Sequence, residues 1–338
     1  MSRIDYSKWD KLNYSSSSSS EEDDDEKEKT QKARAKIAHL ENLSLSASSS
    51  SSSSPLWNGL VLHHKDIFVS HVLSKLNETD WFFFSSMNRE SWDVLKYAGV
   101  NVSGLRYVVH ECTSISTLEW VWNHMPWGAK SKSGSVIDQQ AWFCMEVAQT
   151  NKLEFLKWAR EVKHCEWGEQ TIEVAAAIGN LEMLKYCFSN NCPYDEEKSC
   201  KQAANGGHLD CLRFLFAKVK PSRGTEKAAA IQAAYSGHVK ILKYLVEERK
   251  IPEVVKVSCV LNTAGYDQLD CLKYLIEEAK APLDNRRYIA NARYFERTEC
   301  VNYLLERGCP EPTDEEYAIF ARFVETTKAQ AREREAAS

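Results

Sequence analysis

Eleven cysteines are the residues of this chain with the widest chemical use, because thiolates bind metals and act as nucleophiles. A structural zinc site needs cysteines in close pairs, usually with histidines or further cysteines at fixed spacing. No Cys-x-x-Cys pair occurs, and the tightest group, Cys187, Cys192 and Cys200, has no histidine beside it. The spacing argues against a metal centre, and we expect no metal ligand among these residues.

The cysteines and histidines follow a repeated segment instead. Cys211, Cys271 and Cys300 share one position of it, where a small apolar side chain would pack between helices. His208 and His238 each follow a glycine, which favours a turn histidine bonded to neighbouring backbone over a catalytic base. The sequence also lacks a glycine-rich phosphate loop, paired carboxylates and a nucleophile–base pair. We therefore expect no enzyme activity and no cofactor.

The repeated segment has the form Gly-x-Leu-x-x-Leu-x-aromatic in its clearest copies. Its first leucine position falls at residues 153, 181, 209, 239, 269 and 298, and a degraded earlier copy starts at Leu118. The residues that define the repeat are Gly179, Gly207, Gly237, Leu181, Leu209, Leu212, Leu242, Leu269 and Leu272. A period of 28 to 30 residues is typical of stacked supersecondary units.

Each unit is predicted to be a pair of helices. Leu269 and Leu272 fall on one face of the second helix. Alanines such as those at 228–230 let the first helix approach its neighbours closely, and the glycine can end that helix in the left-handed conformation. An acid and a base three residues apart, as in Glu182 and Lys185, predict weak ion pairs on the second helix. Because one pair cannot bury its apolar face alone, successive pairs should stack.

This pattern resembles ankyrin repeats, in which an alanine-rich helix, a Gly-His or similar turn and a leucine-rich helix recur. The resemblance covers about residues 140–310. The unit is shorter than the usual period of about 33 residues and lacks the opening Thr-Pro-Leu-His, so it is similar to the short, divergent class. The resemblance implies an all-α, ankyrin-like helical repeat solenoid of about six units. It also implies binding of other proteins by the exposed side of the first helices and by the loops between units.

Residues 56–100 are rich in aromatic side chains and lack the repeat. The segment resembles an F-box, in which an apolar helix ends in Ile/Val-Leu-x-x-Leu and a spacer precedes an aspartate and an apolar residue, although the usual opening Leu-Pro is absent. The matching residues are Val72, Leu73, Leu76, Asp80 and Trp81. Asp80 is also predicted to cap a second short helix that contains Phe82–Met87. The resemblance implies docking on a Skp-type linker subunit of a cullin–RING ubiquitin ligase. The alternative is that these helices only cap the first repeat.

Composition sets the remaining boundaries. A chain segment with few apolar residues cannot bury enough surface to fold, so the serine-rich and acidic arm is predicted to be disordered. Thr313-Asp314-Glu315-Glu316 has the form of a capping box and predicts a polar closing helix through about Thr327. The predicted segments are the arm at 1–55, the F-box-like or capping helices at 56–100, a degenerate first repeat and loop at 101–140, the repeats at 141–312, and the closing helix with a frayed tail at 313–338.

Charge and hydrophobicity narrow the choice of partner. The net charge of −5 gives no general attraction to nucleic acids or anionic membranes, and no apolar run approaches the length of a membrane span. The absence of a recognisable export signal predicts a cytoplasmic or nuclear protein. We therefore expect a non-catalytic protein–protein interaction scaffold or, alternatively, a substrate-recruiting ligase adaptor. The candidate partner-binding residues are Val72, Leu73, Leu76 and Trp81, with Trp127 in a predicted loop.

Overall fold

The structure, a computed structural model, describes Val61, residues 64–125, Trp127 and residues 139–337. The predicted disordered arm at 1–55 lies outside the described residues. All regular secondary structure in the described residues is helical, which confirms the all-α prediction for them. They divide into two compact units, one up to Trp127 and one from residue 139 to residue 337. None of the described helices combines the length and the apolar character that crossing a membrane requires.

The first unit is a small bundle of helices with its own apolar core. Its α-helices are α1 (Lys65–His71), α2 (Glu78–Ser85), α3 (Arg89–Tyr97) and α4 (Ile115–His124), and its 3-10 turns are Leu73–Lys75, Val102–Gly104 and Val109–Glu111. Buried apolar side chains from three of the helices and the turns fill the centre: Val61, Phe68, Leu73, Phe82, Val94, Leu95 and Leu105. The aromatic residues of this segment are thus mainly core residues.

Asparagine side chains, and not the predicted Asp80, start the second and third helices. The Asn77 side chain accepts a hydrogen bond from the Asp80 amide at 2.7 Å, and Asn88 accepts one from Ser91 at 2.8 Å. Asp80 lies one turn inside α2, where its charge faces the positive end of the helix dipole. The prediction that Asp80 caps this helix is wrong, because Asn77 precedes it with a suitable side chain at the true boundary.

The second unit is a series of helix pairs. Its α-helices are α5 (Gln139–Gln149), α6 (Leu153–Lys157), α7 (Glu169–Ala177), α8 (Leu181–Ser189), α9 (Glu196–Asn205), α10 (Leu209–Val219), α11 (Arg223–Tyr235), α12 (Val239–Lys243), α13 (Glu253–Gly265), α14 (Leu269–Lys273), α15 (Arg287–Tyr294), α16 (Thr298–Glu306) and α17 (Asp314–Ala337). The first helices of successive pairs contact one another in the order α5, α7, α9, α11, α13 and α15. Second helices also contact their successors, as α8 does α10 and α14 does α16.

The interior of these pairs is built from small and medium-sized apolar residues. Leu212, Leu242 and Leu272 are completely buried, and burial of each leucine stabilises the fold by roughly 1.5–3 kcal/mol. Alanines such as Ala233 and Ala234 are also completely buried and allow the first helices to lie close together. The first leucines of the repeat, Leu181, Leu209 and Leu269, are only half-buried because they lie at the start of the second helix.

The turn between the two helices of a pair has the same backbone conformation in every unit. The residue two positions before the second helix has a positive φ whether or not it is glycine: Asn151, Gly179, Gly207, Gly237, Asp267 and Glu296. In the glycine copies φ lies between 75° and 81°. The following amide closes the turn on the first helix, as His208 does on the carbonyl of Ala203 at 3.0 Å. The prediction that glycine ends the first helix in the left-handed conformation is confirmed.

Each turn also holds a side chain of the next unit. His208 Nε2 donates to the carbonyl oxygen of Ala177 at 3.0 Å, and His238 donates to that of Asn205 at 2.8 Å. These bonds confirm that the turn histidines bond to neighbouring backbone. A Cβ atom at Gly207 would lie 2.6 Å from Nδ1 of His238. The glycine is therefore needed for the approach of the next unit as well as for the turn itself.

Aromatic residues join the second helices in a regular ladder. The hydroxyl of Tyr274 donates to Glu247 of the preceding unit at 3.2 Å, and Tyr303 donates to Glu277 at 2.9 Å. The Lys243 ammonium lies 5.0 Å from the centre of the Tyr274 ring. Tyr186, Tyr274 and Tyr303 each contact both a base and an acid of the unit before them.

The basic position of the second helix has a different partner from the predicted one. Lys185 pairs with Glu182 within its helix at 2.7 Å, as expected. Arg213 and Lys243 instead form ion pairs with acids of the following unit, Arg213 with Glu248 and Lys243 with Glu278. These long side chains reach the next helix because equivalent helices lie side by side. The spacing of three residues therefore predicted the ion pair of Lys185 within its helix but not the ion pairs of Arg213 and Lys243 with the following unit.

Three second helices contain a wider turn. Five-residue π-helical turns follow α6, α12 and α14 at Trp158–Val162, Tyr244–Glu248 and Tyr274–Glu278. In these units the left-handed residue that ends the second helix, such as Lys250, comes eleven residues after the helix start at 239. In the unit that starts at 181 the corresponding Asn191 comes ten residues after it. The wide turn accommodates the additional residue in these three units. In the unit that starts at 209, where left-handed Lys220 also comes eleven residues after the helix start, the longer α-helix α10 accommodates it instead.

The closing helix begins as predicted but is longer. The Thr313 hydroxyl accepts the Glu316 amide at 3.2 Å, and a Glu316 carboxylate oxygen accepts the Thr313 amide at 2.8 Å. This confirms the capping box. Those bonds, together with the ion pair to Arg286, hold the pKa of Glu316 below its usual value. Helix α17 continues to Ala337, so the predicted end near Thr327 is wrong, and the tail contains enough helix-forming residues to extend it.

Replacing Gly207 with alanine should destabilise the fold more than the same change at Gly308. Both residues have a positive φ, which costs about 1–2 kcal/mol with a side chain. At Gly207 the added methyl group would also strike His238, whereas a Cβ at Gly308 has no neighbour within 4 Å. The clash should add roughly 1–3 kcal/mol to the loss. Urea unfolding followed by circular dichroism measures both variants, and equal losses would contradict the interlocking of turn and histidine.

Removing the Tyr274 hydroxyl should cost more stability than removing that of Tyr244. Both rings are buried at the same position of successive units, but only Tyr274 donates to a carboxylate among the described residues. Tyr274→Phe should lower the free energy of unfolding by about 1 kcal/mol. Tyr244→Phe should leave it nearly unchanged. Denaturant unfolding of both variants tests this, and a loss of the same size in Tyr244→Phe would show that the ladder bond is not the cause.

Candidate interaction surface

The candidate partner-binding residues of the first unit differ greatly in exposure. Leu73 is 2% exposed and belongs to the core, and Leu76 packs half-buried against it. Val72 is 36% exposed, because α1 ends there and the chain continues in a 3-10 turn. The Trp81 indole nitrogen donates to the carbonyl oxygen of Leu73 at 3.0 Å, which fixes the turn from inside. Of these four candidates only Val72 is therefore exposed, while Leu73 belongs to the core and Leu76 and Trp81 are partly buried.

An exposed apolar edge nevertheless remains on this unit. Ile67, one turn before the end of α1, is 51% exposed, and Met87, after α2, is 65% exposed. Ile67 and Val72 flank the end of the same helix. They are the apolar residues of the F-box-like segment that a partner could contact without unfolding the core. The sequence match identified Val72 but not Ile67, because the motif does not include that position.

Trp127 lies in a turn and is half-buried. Its ring packs on Trp122 with centroids 4.4 Å apart, and its indole nitrogen donates to the Trp122 carbonyl oxygen at 3.0 Å. The exposed part of the ring is available for contact, while the remainder is held by Trp122. Partner binding by Trp127 stays a prediction.

The cysteines are buried thiols. All eleven lie within the described residues, and each is free and buried. Burial raises the pKa of Cys211 to about 11 and that of Cys271 to about 12. Thiols at these positions stay protonated at neutral pH and cannot act as thiolate nucleophiles. Their shared position between the helices agrees with a packing role.

An outward stripe runs across the first helices of the second unit. It consists of the positions that alternate with the buried alanines and face away from the second helices. The position eight residues before the second helix illustrates its variation: it holds half-buried Glu173, Lys201, Ile231 and Leu261 in the four middle units, and buried Met145 and Ala290 in the first and last. The buried positions of the same helices hold mainly alanine, cysteine and other small residues. The buried positions and the turns, which together form the frame of the repeats, are therefore similar in successive units. The residue types of the outward stripe differ from unit to unit.

The acidic end of the outward stripe surrounds one lysine. The Lys198 ammonium lies 2.7 Å from Glu169, 3.8 Å from Asp195 and 4.0 Å from Glu173. Burial raises the pKa of Glu173, and the neighbouring carboxylates raise it further, against the opposing effect of Lys198. One ammonium group thus shares its charge among three carboxylates.

The opposite end of the outward stripe is apolar. Helices α11 and α13 carry half-buried Ile231 and Leu261, and the exposed side chains of Tyr235 and Tyr266 meet with ring centroids 4.1 Å apart. Val254 at the start of α13 is 67% exposed. None of these five residues was singled out from the sequence. A signal was present in Ile231 and Tyr235, which are four residues apart at positions that the alanine pattern leaves outside.

The comparisons with known proteins place no family on this chain. No family model matches it. No curated protein is similar enough to it to indicate a relationship. The function is therefore argued from the residues and their arrangement.

Replacing Glu173 with glutamine should stabilise the protein at neutral pH. A carboxylate whose pKa is raised by folding is less favourable in the folded than in the unfolded chain once both are ionised. The penalty is present above the raised folded pKa and disappears as the pH falls below the ordinary value of 4.5. The variant should therefore unfold at higher urea concentration at neutral pH but not at a pH below that value. A lower stability of the variant at neutral pH would contradict this account of Glu173.

Proposed function

We propose that this chain is a non-catalytic protein–protein interaction scaffold built on ankyrin-like helical repeats that form a solenoid. The contrast between frame and outward stripe carries the proposal. Glycines, histidines, buried leucines and the tyrosine ladder are used to hold one unit on the next. In the four middle units the outward stripe is only partly buried and differs from unit to unit, as expected of a surface that recognises a partner.

The helix pairs support the ankyrin-like interpretation. Each has a first helix with small buried residues, a left-handed turn and a second helix with at least one buried leucine, and equivalent helices contact one another in chain order. Stacked repeats of this kind bury a continuous core and leave one extended surface for binding. The cysteines and turn histidines, which could otherwise suggest catalysis, have structural partners in these pairs.

A second candidate function is that of a substrate-recruiting adaptor of a cullin–RING ubiquitin ligase. The observation that favours it is the exposed pair Ile67 and Val72 on a compact unit with its own core. The F-box-like segment would then bind a Skp-type linker subunit, and the repeats would hold the substrate. The simpler alternative, in which these helices only cap the repeats, requires no exposed apolar edge.

Affinity capture from cell extract with the immobilised full chain tests the scaffold. We expect defined partner proteins whose capture is lost when the outward stripe is altered by Glu173→Lys, Lys201→Glu or Ile231→Glu, each checked for folding by circular dichroism. The substitutions should act selectively, because the three positions present different chemistry. If every captured protein binds all three variants as well as the unaltered chain, the outward stripe is not the binding surface and the scaffold proposal fails.

The adaptor function is tested in the same capture with Ile67→Asp and Val72→Asp together. These residues are exposed, so the double variant should fold, unlike a substitution of buried Leu73. A Skp-type linker and a cullin should be captured by the unaltered chain and lost from this variant, while proteins bound to the repeats remain. If no ligase subunit is captured, or if its capture survives both substitutions, the adaptor function is wrong.

A further inference from the structure

The apolar end of the outward stripe lies on two adjacent helices. Helices α11 and α13 contact each other, and Ile231 and Leu261 occupy the same position in them. Tyr235 and Tyr266 extend the surface at one end with 41% and 39% of their area exposed. Val254 extends it at the other end of α13. The five side chains thus follow both helices along their outward sides.

These residues are not needed to fill the core. The inward positions of α11 already hold completely buried Ala229, Ala230, Ala233 and Ala234, through which the helix packs on its neighbours. Ile231 and Leu261 are half-buried at the edge of this packing, whereas Tyr235, Tyr266 and Val254 leave more than a third of their surface in water and gain less from folding. Clustered exposed apolar residues rimmed by polar ones usually mark an interaction site. The two tyrosines add large, rigid rings of the type that dominates binding energy at interfaces.

The charges around these apolar residues are mostly positive. On the first helices α9, α11 and α15, Lys201, Arg223, Lys227 and Arg287 form no ion pair with any residue that the structure describes. Lys201 has the same position in α9 as Ile231 in α11, and Arg287 lies on α15, which packs against α13. The other cations of these three helices, Lys198 and Arg293, are paired with Glu169 and Glu311.

Few carboxylates oppose these cations. Among the acids of α9, α11 and α13, Glu196 accepts hydrogen bonds from Ser222 and Thr225, and Glu226 pairs with Arg249. Glu197 and Glu253 are the ones without an ion pair or hydrogen-bond partner in the described part of these helices. Over α9, α11, α13 and α15 there are thus five cations without an ion pair, the fifth being Lys256, whose ammonium donates to the carbonyl oxygen of Ala279, against two such carboxylates in a chain whose net charge is −5. The local excess of positive charge is the opposite of the protein's overall charge.

We propose that the surface formed by Ile231, Leu261, Tyr235, Tyr266 and Val254 binds a short segment of a partner protein that combines large apolar residues with aspartate or glutamate. The apolar side chains of that segment lie over Ile231 and Leu261 and against the tyrosine pair. Its carboxylates face Lys201 and Lys227 on one side and Arg287 on the other. This inference rests on the proposed scaffold function and names the chemical class of its partner.

The acidic end of the outward stripe limits where the acidic residues of the bound segment can lie. Glu169 and Glu173, with Lys198 between them, repel further carboxylates, so the bound segment does not extend over α7 with an acidic residue. Binding is steered by the cations and therefore weakens as salt screens them. A basic peptide meets repulsion over α11 and loses this contribution.

Selection from a phage-displayed library of random peptides tests the proposal. Peptides of about twelve residues can cover two helices that lie about 10 Å apart. The immobilised full chain is the target, and enriched peptides are synthesised with a fluorescent label for anisotropy titration. We expect enrichment of peptides with at least two large apolar residues and several acidic ones, with affinity that falls as salt is raised.

Two matched variants locate the binding site of the enriched peptides. Ile231→Glu with Leu261→Glu should weaken binding at least about tenfold, because it removes apolar contact and adds repulsion. Val162→Glu with Leu305→Glu places the same charges at exposed apolar positions of the second helices and should leave the affinity unchanged. Lys227→Glu with Arg287→Glu should weaken binding and reduce its salt dependence. Circular dichroism confirms folding of all three.

The outcomes separate this inference from the scaffold proposal. Enriched peptides that are basic or lack acidic residues overturn the inference, as does equal affinity for the Ile231→Glu, Leu261→Glu variant, while the scaffold proposal stands if the capture experiment succeeds. A selection that enriches no peptide also overturns the inference. Failure of the scaffold appears separately, as capture of partners that is insensitive to every substitution in the outward stripe.

Discussion

In residues 139–337, a side chain of one helix pair inserts into the turn of the pair before it. The packing of this part of the chain depends on that contact. A left-handed residue must end each first helix, and where that residue is Gly179 or Gly207 the histidine of the following unit occupies the space that a Cβ atom would need. The same histidine satisfies a backbone carbonyl at the end of the preceding first helix. Turn geometry, helix termination and stacking are therefore one requirement, and none can change independently.

This constraint leaves the outward side of the first helices free to vary. Buried positions must be small because the helices lie close together, and positions in the turn must satisfy backbone groups. Neither requirement applies to Glu173, Lys201 or Ile231. The residue type at these positions can therefore be selected for binding to the proposed partner. Interior positions are constrained by packing, whereas outward positions are not. This contrast would let an all-helical frame without a catalytic constellation in its described residues bind its proposed partner specifically.

The sequence predicted the frame well because its signals are repeated and local. The left-handed glycines, the backbone-bonded His208 and the capping box at Thr313 follow from turn and capping chemistry that acts within a few residues. Predictions failed where two neighbours compete or where distant units meet. Asn77 displaced Asp80 as a cap, and Arg213 pairs with an acid of the next unit. The apolar surface at Ile231 and Leu261 was missed because its residues are adjacent only after the units pack.

The wide turns in three of the second helices allow units of different length to occupy equal space. A residue inserted within a regular helix would rotate every following side chain by about 100°, and α10 avoids this by a longer helix. Taken up as a π-helical turn at Tyr244–Glu248, it leaves the tyrosine ladder and the buried leucine in place. A second helix can thus contain one residue more while its tyrosine and its buried leucine keep their places.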